Sequence, residues 1–276
     1  MITGKAKIAA VIGWPIAHSR SPLLHNFWIK RYHIDGAYVP LAVKPQDFLV
    51  VINGLVRAGF KGCNVTIPHK ECAFQCCDDM DDAAHRTRSV NTLVFKENGK
   101  IYGTSTDGAG YIESLKSRNI PLAKKNVLIL GAGGASRSLL YALHTAGCQV
   151  SISNRTLSKA LQLIDDMKIG NVISWQDWPK QLDQFDLMVN TTALGMHSMD
   201  DYDFNLEHAP TGLIVSDIVY VPRETPLLKK ARSLNLLTVD GLGMLLYQAR
   251  LGFFHWFGVY PEIDENTVEF IANSLK

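Results

Sequence analysis

Gly131-Ala-Gly133 follows the apolar run Val127-Leu-Ile-Leu130, so two glycines stand where a strand would hand over to a helix. Bare backbone at such a turn lets peptide N–H groups and a helix N-terminus approach a pyrophosphate, as in dinucleotide-binding loops. Ser136 occupies the place of that fingerprint's third glycine, and glycine turns also close ordinary strand-to-helix junctions. The sequence downstream strengthens the signal. The next apolar strand, Gln149 to Ser153, ends about 20 residues after the turn, where an acidic side chain would bind the ribose 2′-hydroxyl of NAD. Asn154-Arg155-Thr156 stands there instead. A carboxylate would repel a 2′-phosphate, whereas a guanidinium holds one through two charge-assisted hydrogen bonds. Gly131, Ala132, Gly133, Gly134 and Ala135, with Asn154, Arg155 and Thr156, therefore predict an NADP site, and Lys159 adds a second cation one helical turn on.

Cys72, Cys76 and Cys77 fall on one predicted helix near His69. Their spacing lacks the paired C-x-x-C form of structural zinc sites, and cysteine is an ordinary buried residue, so no metal is expected. Five cysteines in a chain of this length do not suggest a disulfide framework.

Short apolar runs alternate with helical patterns along most of the chain, which points to α/β architecture with parallel strands. Strands are expected at Ile8–Ile12, Tyr38–Val43 and Gly62–Ile67. Ser21-Pro22 supplies a cap and a first-turn proline for a helix to about His33, and Pro45–Ala58 reads as a second helix. Asn98-Gly99 is a hairpin signal between Asn91–Phe95 and Lys100–Gly103, so the first sheet should be mixed. Asp107 precedes a helix of about 11 residues. Asn119 to Lys125 reads as the crossing into a nucleotide domain, whose first helix pattern runs from Ser138 to Gly147. Further strands are expected near Leu187–Asn190, Leu213–Asp217 and Leu236–Val239, with helices from Gly241 to Trp256 and after Asp264.

A chain of 276 residues with 47% hydrophobic content buries a sizeable core in one large or two medium domains, and two are expected. The net charge of +2, with the signs interspersed, does not suggest nucleic-acid or anionic-membrane binding. Apolar stretches such as Met244-Leu-Leu fall far short of the ~20 residues that span a bilayer, and the N-terminus lacks a signal-peptide pattern. A soluble, cytoplasmic protein is expected.

Nine segments, in order and at family spacing, resemble the shikimate dehydrogenases. They are His18-Ser-Arg-Ser-Pro22, Asn64-Val-Thr-Ile-Pro-His-Lys70, Val90-Asn-Thr92, Thr106-Asp107, Gly131-Ala-Gly-Gly-Ala135, Asn154-Arg-Thr156, Leu194-Gly-Met196, Asp217-Ile-Val-Tyr220 and Asp240-Gly-Leu-Gly-Met-Leu-Leu-Tyr-Gln248. The resemblance implies an N-terminal mixed-sheet α/β substrate domain over residues 1–106, completed by C-terminal helices in 242–276. A Rossmann-type NADP-binding domain would span 107–241. It also implies reversible NADPH-dependent reduction of 3-dehydroshikimate to shikimate, a step of aromatic amino-acid and chorismate biosynthesis, by a monomer or homodimer.

Hydride transfer to a ring ketone builds negative charge on its oxygen, so a proton donor must stand close by. The resemblance gives that role to Lys70, with Asp107 orienting the ammonium and bonding a neighbouring hydroxyl. Taken without it, Lys70 reads as an exposed side chain and Asp107 as a helix cap. Ser19 and Ser21 fit the family's carboxylate-binding pair, with Tyr220 as a further hydroxyl donor, although Ser21 could also simply cap its helix. Thr66, Asn91 and Gln248 match contacts to ring hydroxyls, and their mixed donors and acceptors suit a polyol. Asn91 could otherwise be a strand-edge residue, and Gln248 could face solvent. Met196, Ile218, Val219 and Gly241 match positions near the cofactor, as does Asp82; Ser136 lies in the phosphate loop. His18, His25 and His69 are left as structural or substrate-adjacent.

Three departures bear on the loops. Arg88-Ser89 replaces the family's usual Gly-Ala, so a bulky cation stands where glycine permits positive φ, and Asn91 could be repositioned. Ser105 replaces a usual Asn. Thr192-Ala193 replaces a Thr-Pro or Ser-Pro and should loosen its loop. Two rival readings are an NAD-using quinate/shikimate dehydrogenase, which Arg155 disfavours, and a catalytically idle NADP-binding regulatory module, which the Lys70-Asp107 pair disfavours.

Overall fold

The computed structural model describes residues 2–196 and 203–275. The chain forms two compact units, Met1–Thr106 with Leu246–Ser274, and one built around Asp107–Leu245.

The first unit contains β1 (Lys7–Gly13), α1 (Ser21–Arg31), β2 (Gly36–Ala42), α2 (Phe48–Arg57), β3 (Gly62–Val65), α3 (Lys70–Gln75), β4 (Asp79–Met80), α4 (Asp82–Thr87), β5 (Thr92–Phe95) and β6 (Ile101–Thr104). Its sheet runs β2-β1-β3-β5-β6-β4. β2 and β3 lie parallel to β1, whereas β5 is antiparallel to both β3 and β6. Strands of both directions therefore meet at the carboxyl end of β3, where Asn64 faces Thr92.

One face of this sheet packs on α2 through Phe48 and Ile52, spaced one turn apart on an amphipathic helix. Aromatic side chains dominate a second cluster. His25 stacks on Tyr38 at 4.0 Å and 10°, and Trp28, Phe253 and Trp256 surround it. Trp256 Nε1 donates to the Leu93 carbonyl at 2.9 Å. Gly62, at φ +149, makes that approach possible, since a Cβ there would lie 2.3 Å from the indole nitrogen.

The chain leaves this unit at the start of α5 (Thr106–Lys116). It then forms β7 (Asn126–Leu130), α6 (Gly134–Thr145), β8 (Gln149–Ser153), α7 (Leu157–Met167), β9 (Asn171–Ile173), β10 (Leu187–Asn190), β11 (Ile214–Asp217), α8 (Pro226–Ser233) and β12 (Leu237–Val239). α9 (Leu242–Phe257) carries the chain back, and α10 (Glu265–Asn273) follows it. The second sheet is parallel throughout, in the order β12-β11-β10-β7-β8-β9. Its central strands are continuous apolar runs because both faces are covered. Val127 and Ile129 enter the core on one face, while Leu128 and Leu130 enter the core on the other.

This strand order is that of a doubly wound nucleotide-binding sheet, whose order reverses between β7 and β10. Several local expectations shift. α6 begins at Gly134, four residues before the expected Ser138, because glycine serves at its N-terminus. Arg20, not Ser21, is the N-cap of α1, and no side chain caps it. α3 ends at Gln75, so Cys76 is its C-cap and Cys77 lies beyond. α4 and α8 have no counterpart among the elements expected from the sequence, and α7 is implied there only by the placing of Lys159.

Candidate active site

In the first unit the loops after β1 and β3 leave neighbouring parallel strands at the same end, with Ile12 opposite Val65. Gly13 lets them touch, because a Cβ there would stand 2.5 Å from Thr66 Cγ2. The Trp14 N–H donates to the Ile67 carbonyl at 3.1 Å. Ser19 and Ser21 stand on the first loop and the opening of α1, and Ser19 Oγ accepts from the Ser21 N–H at 3.3 Å. Ser21 is buried without serving as the helix cap.

Thr66 leads into His69 and Lys70 on the second loop. His69 is a strut: its Nε2 donates to the Val43 carbonyl at 2.8 Å and its ring stacks on Phe48 at 4.9 Å. Lys70, half-buried, opens α3, and its carbonyl accepts from the Val90 N–H at 3.2 Å. That bond brings the segment before β5 alongside. His18 is exposed, and burial lowers the His25 pKa to about 3, so His25 is neutral. Neither of its ring nitrogens finds a hydrogen-bond partner among the described residues.

Asn91 is the most firmly held of the expected residues. Its Nδ2 donates to Thr106 Oγ1 at 2.9 Å, and its Oδ1 accepts from the Thr106 N–H at 2.8 Å. Its own carbonyl accepts from the Val65 N–H and, at 3.2 Å, from Asn64 Nδ2. Asn64 in turn donates to Thr92 Oγ1 at 3.0 Å and accepts from the buried Tyr38 hydroxyl at 2.6 Å. Thr106 Oγ1 also reaches Gln248 Oε1 on α9 at 3.5 Å. Gln248 is thus buried rather than solvent-facing. Asp107 follows as the second residue of α5, buried in its first turn rather than capping it.

The loop around Arg88 resolves one departure. Arg88 itself takes φ +49 at the end of α4, so the left-handed conformation expected of glycine is kept with a cation in place, and Asn91 stays in its network. Tyr38, Asn64, Thr92 and Thr106 carry no individual role among the sequence expectations. Asn64, Thr92 and Thr106 stand within the resembling segments without a role of their own, and Tyr38 only opens an expected strand.

In the second unit the glycine loop stands at the switch point. Gly131 has φ +116, and a Cβ there would lie 2.6 Å from Thr191 Oγ1. At Gly133 and Gly134 a Cβ would meet nothing within 4 Å, so the N-terminus of α6 is open to a ligand. Ser136 Oγ accepts from the Gly133 N–H at 3.1 Å and lies 2.6 Å from Thr191 Oγ1, which donates to the Leu130 carbonyl at 2.7 Å. The serine in place of a third glycine therefore ties the loop to the strand beside it. Ala132 and Ala135 are partly exposed in the same turn.

Gly131 N–H donates to the Ser153 carbonyl, which brings the end of β8 alongside. Asn154 Nδ2 there donates to the Thr156 carbonyl at 2.8 Å, and Arg155, Thr156 and Lys159 are exposed. The start of the loop after β10 is held by Asn190. Asn190 Oδ1 accepts from the Thr192 N–H and hydroxyl, and its Nδ2 donates to the Leu194 carbonyl and to Asp217. Met196 ends the described part of that loop, 42% exposed. Gly241 is pressed against the backbone after β11, where a Cβ would lie 2.2 Å from the Ile218 carbonyl oxygen. Val219 is buried there and Tyr220 is half-buried.

Asp217 fixes this end of the sheet. It is fully buried and accepts from Val219 N–H at 3.0 Å, Thr225 Oγ1 at 2.8 Å and Asn190. Burial raises its pKa to about 6 against the pull of those donors. Asp82, by contrast, belongs to the first unit, exposed in the first turn of α4 and 4.0 Å from Arg86. Among the described residues no group of three or more His, Cys, Asp or Glu side chains is arranged to hold a metal ion. No helix there is long and apolar enough to cross a membrane.

Comparison with known proteins covers both units. Residues 11–93 match the model of the shikimate dehydrogenase substrate binding domain, and residues 114–245 match that of shikimate / quinate 5-dehydrogenase. A shikimate dehydrogenase (NADP(+)) of Gluconobacter oxydans is 47% identical over 278 residues, 100% of this chain and 99% of the relative. The crystal structure of shikimate 5-dehydrogenase from Thermus thermophilus in complex with NADP(H) and shikimate superposes with a TM-score of 0.88 at 33% identity, covering 98% of this chain and 100% of that one. Quinate dehydrogenase from Corynebacterium glutamicum in complex with NAD gives 0.90 at 26% identity, covering 97% and 99%. Matched in both halves and aligned with its relatives from end to end, the chain belongs to the shikimate dehydrogenase family.

Proposed function

We propose that this chain catalyses the reversible NADPH-dependent reduction of 3-dehydroshikimate to shikimate, as a cytoplasmic enzyme of aromatic amino-acid biosynthesis. The observation that carries the reading is the pairing, in one chain, of an open glycine loop at a sheet switch point with Arg155 at the end of the next strand. Family membership adds the substrate.

The open N-terminus of α6, the bare Gly133 and Gly134 and the exposed Arg155 and Lys159 fit NADP, the last two meeting the 2′-phosphate. NADPH, when bound, supplies the hydride. Ser19, Ser21 and Tyr220 would hold the substrate carboxylate. Thr66, Asn91 and Gln248 would meet the ring hydroxyls, with Asn91 aimed by Thr106. Lys70 would donate a proton to the ketone oxygen as negative charge develops there, and Asp107 would orient its ammonium. In the reverse direction Lys70 takes that proton from the alcohol.

The test is dinucleotide reduction by purified protein, followed at the nicotinamide absorbance, with shikimate and quinate each paired with NADP and NAD. Turnover mainly with shikimate and NADP is expected. Faster turnover with quinate and NAD would replace the reading with the quinate dehydrogenase alternative. Silence in all four pairs from protein that binds NADP would leave a regulatory module.

A further inference from the structure

Two half-buried thiols at the far end of α3 take no part in either group of residues described above. Cys76 is the C-cap of the helix and Cys77 follows it. Both sulfurs turn back onto one acceptor, the Ala73 carbonyl oxygen, at 3.2 Å from Cys76 Sγ and 3.0 Å from Cys77 Sγ. Gly103 forms the wall behind Cys77, since a Cβ there would stand 2.4 Å from its sulfur. The seat of that sulfur is therefore fixed by packing.

The adjacent Cys77 thiol draws the Cys76 thiol below its usual range, while Cys76 and burial push Cys77 up. Cys76 is thus the more nucleophilic of the two, with a second thiol poised beside it. Cys63 and Cys148 are buried.

We propose that Cys76 and Cys77 form a vicinal dithiol site that chelates a trivalent arsenical. A direct disulfide would need the sulfurs about 2.05 Å apart. A single bridging atom joins them at longer reach and leaves the C-cap in place. An aryl arsine oxide enters as its dihydroxy hydrate. The Cys76 sulfur attacks arsenic first and Cys77 closes the ring. Two S–As bonds form, two S–H and two As–O bonds break, the protons leave with the hydroxyls as two waters, and arsenic stays trivalent.

The site is independent of the proposed activity, so its test does not need turnover. Native protein is treated with phenylarsine oxide and followed by intact mass. One adduct per chain is expected, stable to excess 2-mercaptoethanol and released by 1,2-ethanedithiol. Cys76→Ser and Cys77→Ser, each checked for folding by circular dichroism, should each weaken binding about a hundredfold or more, the loss expected when a two-point attachment becomes one-point. Cys72→Ser should bind as the parent does. The proposal is overturned if the parent forms no monothiol-resistant adduct, if that adduct persists in either of the first two variants, or if Cys72→Ser abolishes it.

Discussion

Lys70 and Arg88 show how much a single side chain can carry in this protein. A positioned proton donor contributes about 10²–10⁴ in rate, so Lys70→Ala should lower kcat by that order while NADP binding, read by fluorescence titration, stays within a few-fold of the parent. Loss of NADP affinity in step with kcat would mean that Lys70 supports the fold and not the reaction. Arg88 holds φ +49, a conformation that costs an L-residue about 1–2 kcal/mol. Glycine removes that cost but adds about 0.4–1 kcal/mol of unfolded-state entropy. Arg88→Gly should therefore be neutral or up to about 1.6 kcal/mol more stable by denaturant midpoint, and a clear destabilisation would show that the exposed guanidinium has a role of its own.

At the level of elements, the first group of residues depends on three pieces of chain meeting at one sheet end. β3 presents Asn64, the residue before β5 is Asn91, and the start of α5 presents Thr106, each hydrogen-bonded to at least one of the others. Thr106 is the joint, since its hydroxyl meets Asn91, Thr92 and Gln248. Thr106→Val keeps the shape and removes that hydroxyl, which should cost about 1–3 kcal/mol where it leaves buried polar groups short of partners. If Thr106 aims Asn91, KM for shikimate should rise more than kcat falls. An unchanged KM alongside the stability loss would confine Thr106 to a structural part.

For the molecule as a whole, the buried Asp217 couples stability to pH. Its folded-state pKa of about 6 lies above the unfolded value of 3.8. The stabilisation this gives is complete below pH 3.8 and is lost as pH rises through about 6. The difference corresponds to on the order of 3 kcal/mol. Asp217→Asn cannot ionise, so its stability relative to the parent should improve by that order between pH 4 and pH 7, measured by urea unfolding at each pH. A constant offset would show that the three donors keep Asp217 charged throughout. Asp35, Asp186 and Asp264 are held below the usual carboxylate range by their hydrogen-bond donors and act in the opposite direction, losing stability as pH falls. The comparison of variant with parent isolates Asp217 from them.

The alternation of apolar runs and helical patterns, the glycine turn after β7 and the Asn98-Gly99 hairpin were all legible in the sequence. Each depends on residues close together in the chain, through side-chain periodicity or the backbone freedom of glycine. Arg155 was legible for the same reason, as a charge at a fixed distance past a strand. Short helices such as α4, with only six residues, left too little periodicity to read. The roles of Tyr38, Asn64 and Thr106 were not legible, because hydrogen bonds among them and Asn91 link residues up to 27 positions apart. Local sequence set which elements form and which chemical groups they carry. Only the tertiary structure decided which buried donors met which acceptors, because satisfying a polar group inside a core depends on packing that no local pattern encodes.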